Sequence, residues 1–145
     1  MASCEDLKKI AKTRIEAVKL LIQNNDHDGA VYLSGHALEC ALKSVICKRL
    51  NLDKYPDRSS SKELQSIFLS HRLDVLLTLS GMEKDFSLAI SSRRSENWSE
   101  FINWNVDLRY EPIGTRGEAE AKRKLEALVE DPDGIITFME AKSQW

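Results

Sequence analysis

The chain has 145 residues, enough for one ordinary domain with a single core. Its composition, 42% hydrophobic and 30% charged, excludes a disordered or fibrous chain. A formal charge of -2 sets it apart from the strongly basic proteins that coat nucleic acid. No apolar run approaches the ~20 residues needed to cross a bilayer, so no membrane association is expected. Three cysteines, Cys4, Cys40 and Cys47, contain no Cys-x-x-Cys pair, and the opening MASCEDLKKIAK lacks the apolar core of a signal peptide. Both features point to a reducing cytoplasm.

Six glycines and three prolines, with apolar residues recurring at three-to-four spacing, predict an all-α fold: an antiparallel up-and-down bundle of five to six helices in one domain, 1–145. Leu7, Ile10, Ala11, Ile15, Val18, Leu21 and Ile22 form the stripe of a first helix over 4–24. Polar Asn24 to Asp28 caps a second helix, 28–50, that folds back antiparallel. Leu52 to Ser61, with Pro56 and three serines, reads as a loop. A third helix is expected over 62–79, ended by Gly81 in a left-handed conformation, and a fourth over 83–102 with a polar break at Ser91–Ser95. Asn103 to Gly114 is expected to be an ordered loop. Thr115-Arg116-Gly117-Glu118 matches a capping box for a fifth helix, and Asp131-Pro132 suits the start of a last one.

The most informative stretch runs from Ala30 to Lys43. Gly35 inside a helical pattern costs about 0.5–1 kcal/mol unless another group packs closely against it. Gly35, Glu39 and Lys43 are four apart and share a face, with Glu preceding Lys in the favourable order for an ion pair. Glu39 is therefore either one end of a surface salt bridge or a partly buried carboxylate that orients a polar site. His71, placed mid-helix, is a core-edge residue or an acid-base group. His36 and Cys40 form a weak pair for a metal, and no metal or other cofactor is expected. Cys40 and Cys47 read as small buried hydrophobes.

Trp98, Phe101, Trp104, Arg109 and Tyr110 concentrate aromatic rings beside an arginine just before Pro112. The segment is either a stacking surface for a base, with Arg93 and Arg94 as phosphate partners, or an aromatic lid over the core or a subunit interface. Lys122-Arg123-Lys124 among glutamates reads as a solvated helix face. Phosphate loop, dinucleotide fingerprint, nucleophile elbow and His-Glu-x-x-His motifs are all missing.

Tyr32-x-x-Gly35-x-x-x-Glu39-x-x-Leu42-Lys43, then His71-x-Leu73-x-x-Leu76, then Trp104 followed by Arg109-Tyr110, resembles the HEPN domain family over essentially the whole chain. The resemblance implies an antiparallel bundle that forms a homodimer about a two-fold interface. Such bundles are often encoded beside a minimal nucleotidyltransferase or belong to defence and toxin-antitoxin systems. Many members are metal-independent ribonucleases with an arginine followed after four to six residues by a histidine. Here Arg109 is followed by Tyr-Glu-Pro-Ile-Gly-Thr-Arg, and no histidine lies downstream. Loss of such a group typically costs about 10²–10⁴ in rate. The expectation is thus a non-catalytic HEPN-like module that binds nucleotide, RNA or a partner nucleotidyltransferase. Gly35, Glu39, Lys43, His71, Arg109 and Tyr110 are its candidate ligand-binding residues. One alternative is a ribonuclease with a relocated histidine, in which His71, Glu39 and Arg109 meet in one cleft. The other is a scaffold without a ligand.

Overall fold

A computed structural model describes residues 2–142 and 145. Of the predicted 1–145 domain, Met1, Ser143 and Gln144 lie outside the described residues. Among the described residues seven α-helices follow in order: α1 Cys4–Gln23, α2 His27–Arg49, α3 Lys62–Phe68, α4 Leu73–Ser80, α5 Ser92–Ser99, α6 Glu118–Val129 and α7 Ile135–Ala141. Two 3-10 turns, Lys84–Phe86 and Val106–Tyr110, lie between them. Among the described residues no strand forms, and one isolated antiparallel bridge joins Ser3 to Lys54.

Helix α2 organises the bundle because its sequence is apolar or small nearly all round. A helix of that kind is stable only when neighbours cover every side. Ala30, Val31, Ala37, Leu38, Ala41, Leu42, Val45 and Ile46 are fully or almost fully buried. Helices α1, α4, α6 and α7 and the 106–110 turn all pack on it. Helix α1, by contrast, buries only the stripe Leu7, Ala11, Ile15 and Val18 and starts with a reciprocal cap between Ser3 and Asp6. Asp26 caps α2 by accepting from the Gly29 amide at 2.9 Å.

The predicted third helix is broken. It ends at Phe68, resumes at Leu73, and His71 stands in the unwound link between α3 and α4 rather than mid-helix. Ser70 accepts from the Arg72 amide at 3.0 Å, a local bond that competes with helix continuation. Gly81 does end α4 with φ of 74°. The predicted fourth helix is shorter than expected and its break lies earlier. Ser91 is the N-cap of α5, accepting from Arg94, so the serines begin the helix rather than interrupt it.

The capping box at Thr115–Glu118 is not formed. Gly117 occupies the cap position, and the Thr115 hydroxyl donates to the Pro112 carbonyl. Asp28, on the first turn of α2, takes over: its carboxylate accepts from the Gly114 amide at 2.6 Å and the Arg116 amide at 2.8 Å. Likewise α7 begins at Ile135, after Gly134, and not at Pro132. The 130–134 turn is closed by Gly134 donating to the Glu130 carbonyl at 2.8 Å and is held by Asn97, which donates to the Asp133 carbonyl. Lys124 corrects the solvated-face expectation for its segment. It is buried and donates to the Glu100 carbonyl, and burial lowers its pKa.

The two backbone amides bonded to Asp28 hold its carboxyl below the usual carboxylate range. A depressed carboxyl contributes stability above its unfolded value and loses it as pH falls through the folded one. The 111–117 segment therefore stays clamped until the pH drops below the 3.8 of a free carboxyl. Asp28→Ala should remove hydrogen-exchange protection at Gly114 and Arg116 at neutral pH while leaving α2 protected. Unchanged protection at both amides would refute the clamp.

Candidate functional site

Three of the residues singled out on α2 have distinct structural reasons. Gly35 faces the indole of Trp104, and a Cβ built there would overlap that ring. Trp104 Nε1 donates to the Tyr32 carbonyl at 3.1 Å, and its ring stacks on Tyr32 with centroids 5.9 Å apart and planes 23° apart. The glycine lets the 98–106 segment lie directly on the helix backbone. Gly35→Ala should destabilise the fold by about 1–3 kcal/mol in urea denaturation. A loss below about 0.5 kcal/mol would show that the indole moves aside at little cost.

One turn further, Glu39 is buried, at 4% exposure, and not part of a solvent-exposed pair. Its Oε1 accepts from Lys43 Nζ at 2.8 Å and from His71 Nδ1 at 2.8 Å. The second oxygen has His36 Nδ1 at 4.0 Å. Burial lowers the pKa of His36, so this ring is neutral at pH 7 and contributes no ion pair there. Lys43 is itself largely covered, its ammonium lying 5.4 Å from the centre of the Tyr55 ring. Tyr55 in turn donates its hydroxyl to the Phe68 carbonyl at 2.9 Å, tying the end of α3 to the same cluster.

His71 stands at the mouth of a cavity of about 540 Å³ between the start of α4 and the segment from Trp98 to Val106. Leu73, Phe101 and Trp104 are its buried apolar lining, and Trp98 is half-buried. His71, Arg72, Asp74, Asn103 and Asn105 form its polar rim. Arg72 is held by Asp74 through Nε at 3.2 Å and Nη2 at 2.8 Å.

Arg109 does not join this group. It is exposed, with its guanidinium 4.9 Å from the Tyr110 ring centre, and the Tyr32 hydroxyl raises its pKa. Tyr110 is 74% exposed. The shared cleft of Glu39, His71 and Arg109 is thus reduced to Glu39 with His71. Arg93 and Arg94 are not available as phosphate partners either. Arg93 clamps Glu130 with two nitrogens, and Arg94 holds Asp133 and the Asp85 carbonyl while lying 4.2 Å from the Phe138 ring centre.

His36 Nε2 and Cys40 Sγ are neighbours at 3.8 Å. Among the described residues no three His, Cys, Asp or Glu side chains converge to hold a metal ion. Desolvation pushes the Cys40 thiol up to about 11 and that of Cys47 up to about 12, so both are thiols at neutral pH. Arg72, Asp74, Asn103 and Asn105 went unnoticed as rim residues. No local spacing signals them, because the cavity joins segments about 30 residues apart. Comparison with models of known protein families, with curated proteins and with solved structures finds no match.

The Glu39–Lys43 pair is more than 85% covered at both side chains. Removing one member of such a pair strands the other charge. Glu39→Ala should cost about 3 kcal/mol or more in chemical denaturation, and Glu39→Leu combined with Lys43→Met should recover most of that. A double variant no more stable than Glu39→Ala alone would contradict this account.

Proposed function

We propose that this chain is a non-catalytic, HEPN-like module that binds nucleotide or RNA in the cavity between α4 and the 98–106 segment. In this reading it acts as a homodimer beside a partner such as a nucleotidyltransferase, in a toxin-antitoxin or defence setting. The observation that carries it is the cavity itself. Its volume of about 540 Å³ falls within the range of small-ligand sites, and it combines aromatic walls with amide, imidazole and guanidinium groups on the rim. Trp98, half-buried and in tilted contact with Phe86 at 5.8 Å, supplies a ring against which a base can lie.

A second reading draws on the Glu39–His71 contact. A carboxylate that fixes one imidazole nitrogen sets the tautomer and leaves the other for proton transfer, the arrangement of a general base. It supports a ribonuclease with a relocated histidine.

One experiment separates the two. Titrating the protein with a short single-stranded RNA should quench tryptophan fluorescence, and Trp98→Leu should weaken binding about tenfold or more. Labelled RNA incubated with the protein in chelator should stay intact. Cleavage that vanishes in His71→Asn, yet survives in Arg109→Ala, would instead establish the ribonuclease reading. Neither quenching nor cleavage would dismiss both. Light scattering at micromolar concentration should report about twice the 16.5 kDa chain mass, and a single-chain mass would rule out the dimer.

A further inference from the structure

Cys4, the first residue of α1, is folded against the last turns of α2 by contacts that have no part in the cavity. Its thiol donates to the Ser44 carbonyl at 3.6 Å, and the Ser44 hydroxyl donates back to the Cys4 carbonyl at 3.0 Å. The residues just before it are pinned as well. Tyr55 donates its amide to the Ala2 carbonyl at 2.8 Å, and Ser3 forms a bridge with Lys54. Cys47 lies one turn beyond Ser44 on the same face of α2, with its thiol donating to the Leu52 carbonyl at 3.2 Å. Its sulfur is in hydrogen-bonding contact with both the thiol and the backbone amide of Cys4. Two thiols therefore touch at the joint where α1 begins and α2 ends.

The third cysteine is out of reach. A disulfide needs Cα atoms within about 7 Å, and Cys40 stands two turns before Cys47 on the same helix, about 10 Å along its axis. The touching pair is unequal in access: Cys4 is half-buried, while Cys47 is 0% exposed. An oxidant meets Cys4 first, and Cys47 waits behind it. We propose that Cys4 and Cys47 form a redox-sensitive staple, which closes to a disulfide when hydrogen peroxide oxidises Cys4. The Cys4 sulfur takes one oxygen as the O–O bond breaks, giving a sulfenic acid and releasing water. The Cys47 sulfur then attacks the Cys4 sulfur, the S–O bond breaks, and the hydroxide leaves as a second water with the Cys47 proton. Two thiols lose two electrons in all, and one peroxide is reduced to two waters. The staple joins the first turn of α1 to the end of α2, whatever the cavity binds.

The test treats the reduced, folded chain at neutral pH with a small excess of hydrogen peroxide, then alkylates the remaining thiols in denaturant. Trypsin puts the three cysteines in separate peptides, since Lys8 ends the one with Cys4, Lys43 the one with Cys40 and Lys48 the one with Cys47. Mass spectrometry should find the Cys4 and Cys47 peptides linked, about 2 Da below their summed mass, and Cys40 alkylated. Dithiothreitol should separate them. The linked chain should unfold at a urea concentration about 1 M higher than the reduced chain. Neither the link nor the rise should occur in Cys4→Ser. Cys4 carried on to a sulfinic or sulfonic acid while Cys47 stays alkylatable overturns the inference, as does a link to Cys40 or between two chains. Three alkylated thiols after an exposure that fully oxidises glutathione overturn it too. A Cys4–Cys47 link that leaves the urea midpoint unchanged or lower shows a strained bond and overturns the staple.

Discussion

The contact on which the rest of the structure depends is the seating of the Trp104 indole on Gly35. Residues 100–105, between the end of α5 and the 106–110 turn, run through tight turns whose backbone bonds among the described residues are local and do not join them to α2. Here they are fixed by one large ring packed where a helix has no side chain, and by a hydrogen bond from that ring to the Tyr32 carbonyl. Any Cβ at position 35 would lift the segment off α2. The cavity wall would rise with it, since Phe101, Asn103 and Asn105 belong to the same stretch. Glu39, one turn along, holds the facing wall through His71. One helix face thus sets the spacing of both sides of the cavity.

Magnitudes decide which polar contacts matter to that arrangement. The pairs Lys19–Glu16 and Lys122–Glu118 lie at the surface with both partners about half exposed, and pairs of that kind contribute about 0–1 kcal/mol. Glu39 differs because it is only 4% exposed, so little water is at hand to replace a lost partner. Desolvating a carboxylate is costly unless it is paired, and Lys43 and His71 both bond to its Oε1. The unwound link between α3 and α4 carries one of these two partners. In the link at 69–72 the His71 imidazole bonds to the acid on α2. The local bond that the Arg72 amide donates to Ser70 Oγ supports the interruption from the other side.

Helices α1 and α2 were legible in the sequence to within a residue at each end, because each carries a long apolar pattern with a strong polar cap. The Gly35 anomaly was legible too, although its partner was not, since Trp104 lies 69 positions away and no local rule links them. Sequence reading failed where side chains with local bonding options had to choose between two backbone partners. Leu64, Ile67 and Phe68, and then Leu73, Leu76 and Leu77, keep helical spacing on either side of the break at 69–72, where Ser70 and His71 stand. Thr115 and Glu118 have the right spacing for a cap, yet Asp28 reaches the Gly114 and Arg116 amides from 86 and 88 residues away and fixes the segment first. Of the candidate site, Glu39, Lys43 and His71 meet, while Arg109 is drawn to Tyr32 and Tyr110. Aromatic neighbours alone were too weak a signal to say which wall the arginine would join.

The same geometry weighs on the choice between a binding module and a nuclease. Cleavage of RNA through its 2′-hydroxyl requires a proton to leave the nucleophile and another to reach the leaving oxygen, at positions on opposite sides of the phosphorus. Around this cavity His71 presents an imidazole whose Nδ1 is bonded to Glu39. Asp74 is engaged by Arg72, whose two hydrogen bonds hold its carboxyl below the usual range, so it is a weak base and is not protonated to act as an acid near pH 7. Arg109, which would steady a developing charge, lies with Tyr110 and outside the residues that line the cavity. In-line cleavage draws on two proton-transfer groups, and the titratable side chains that line this cavity are His71, Arg72 and Asp74, the last two bonded to each other.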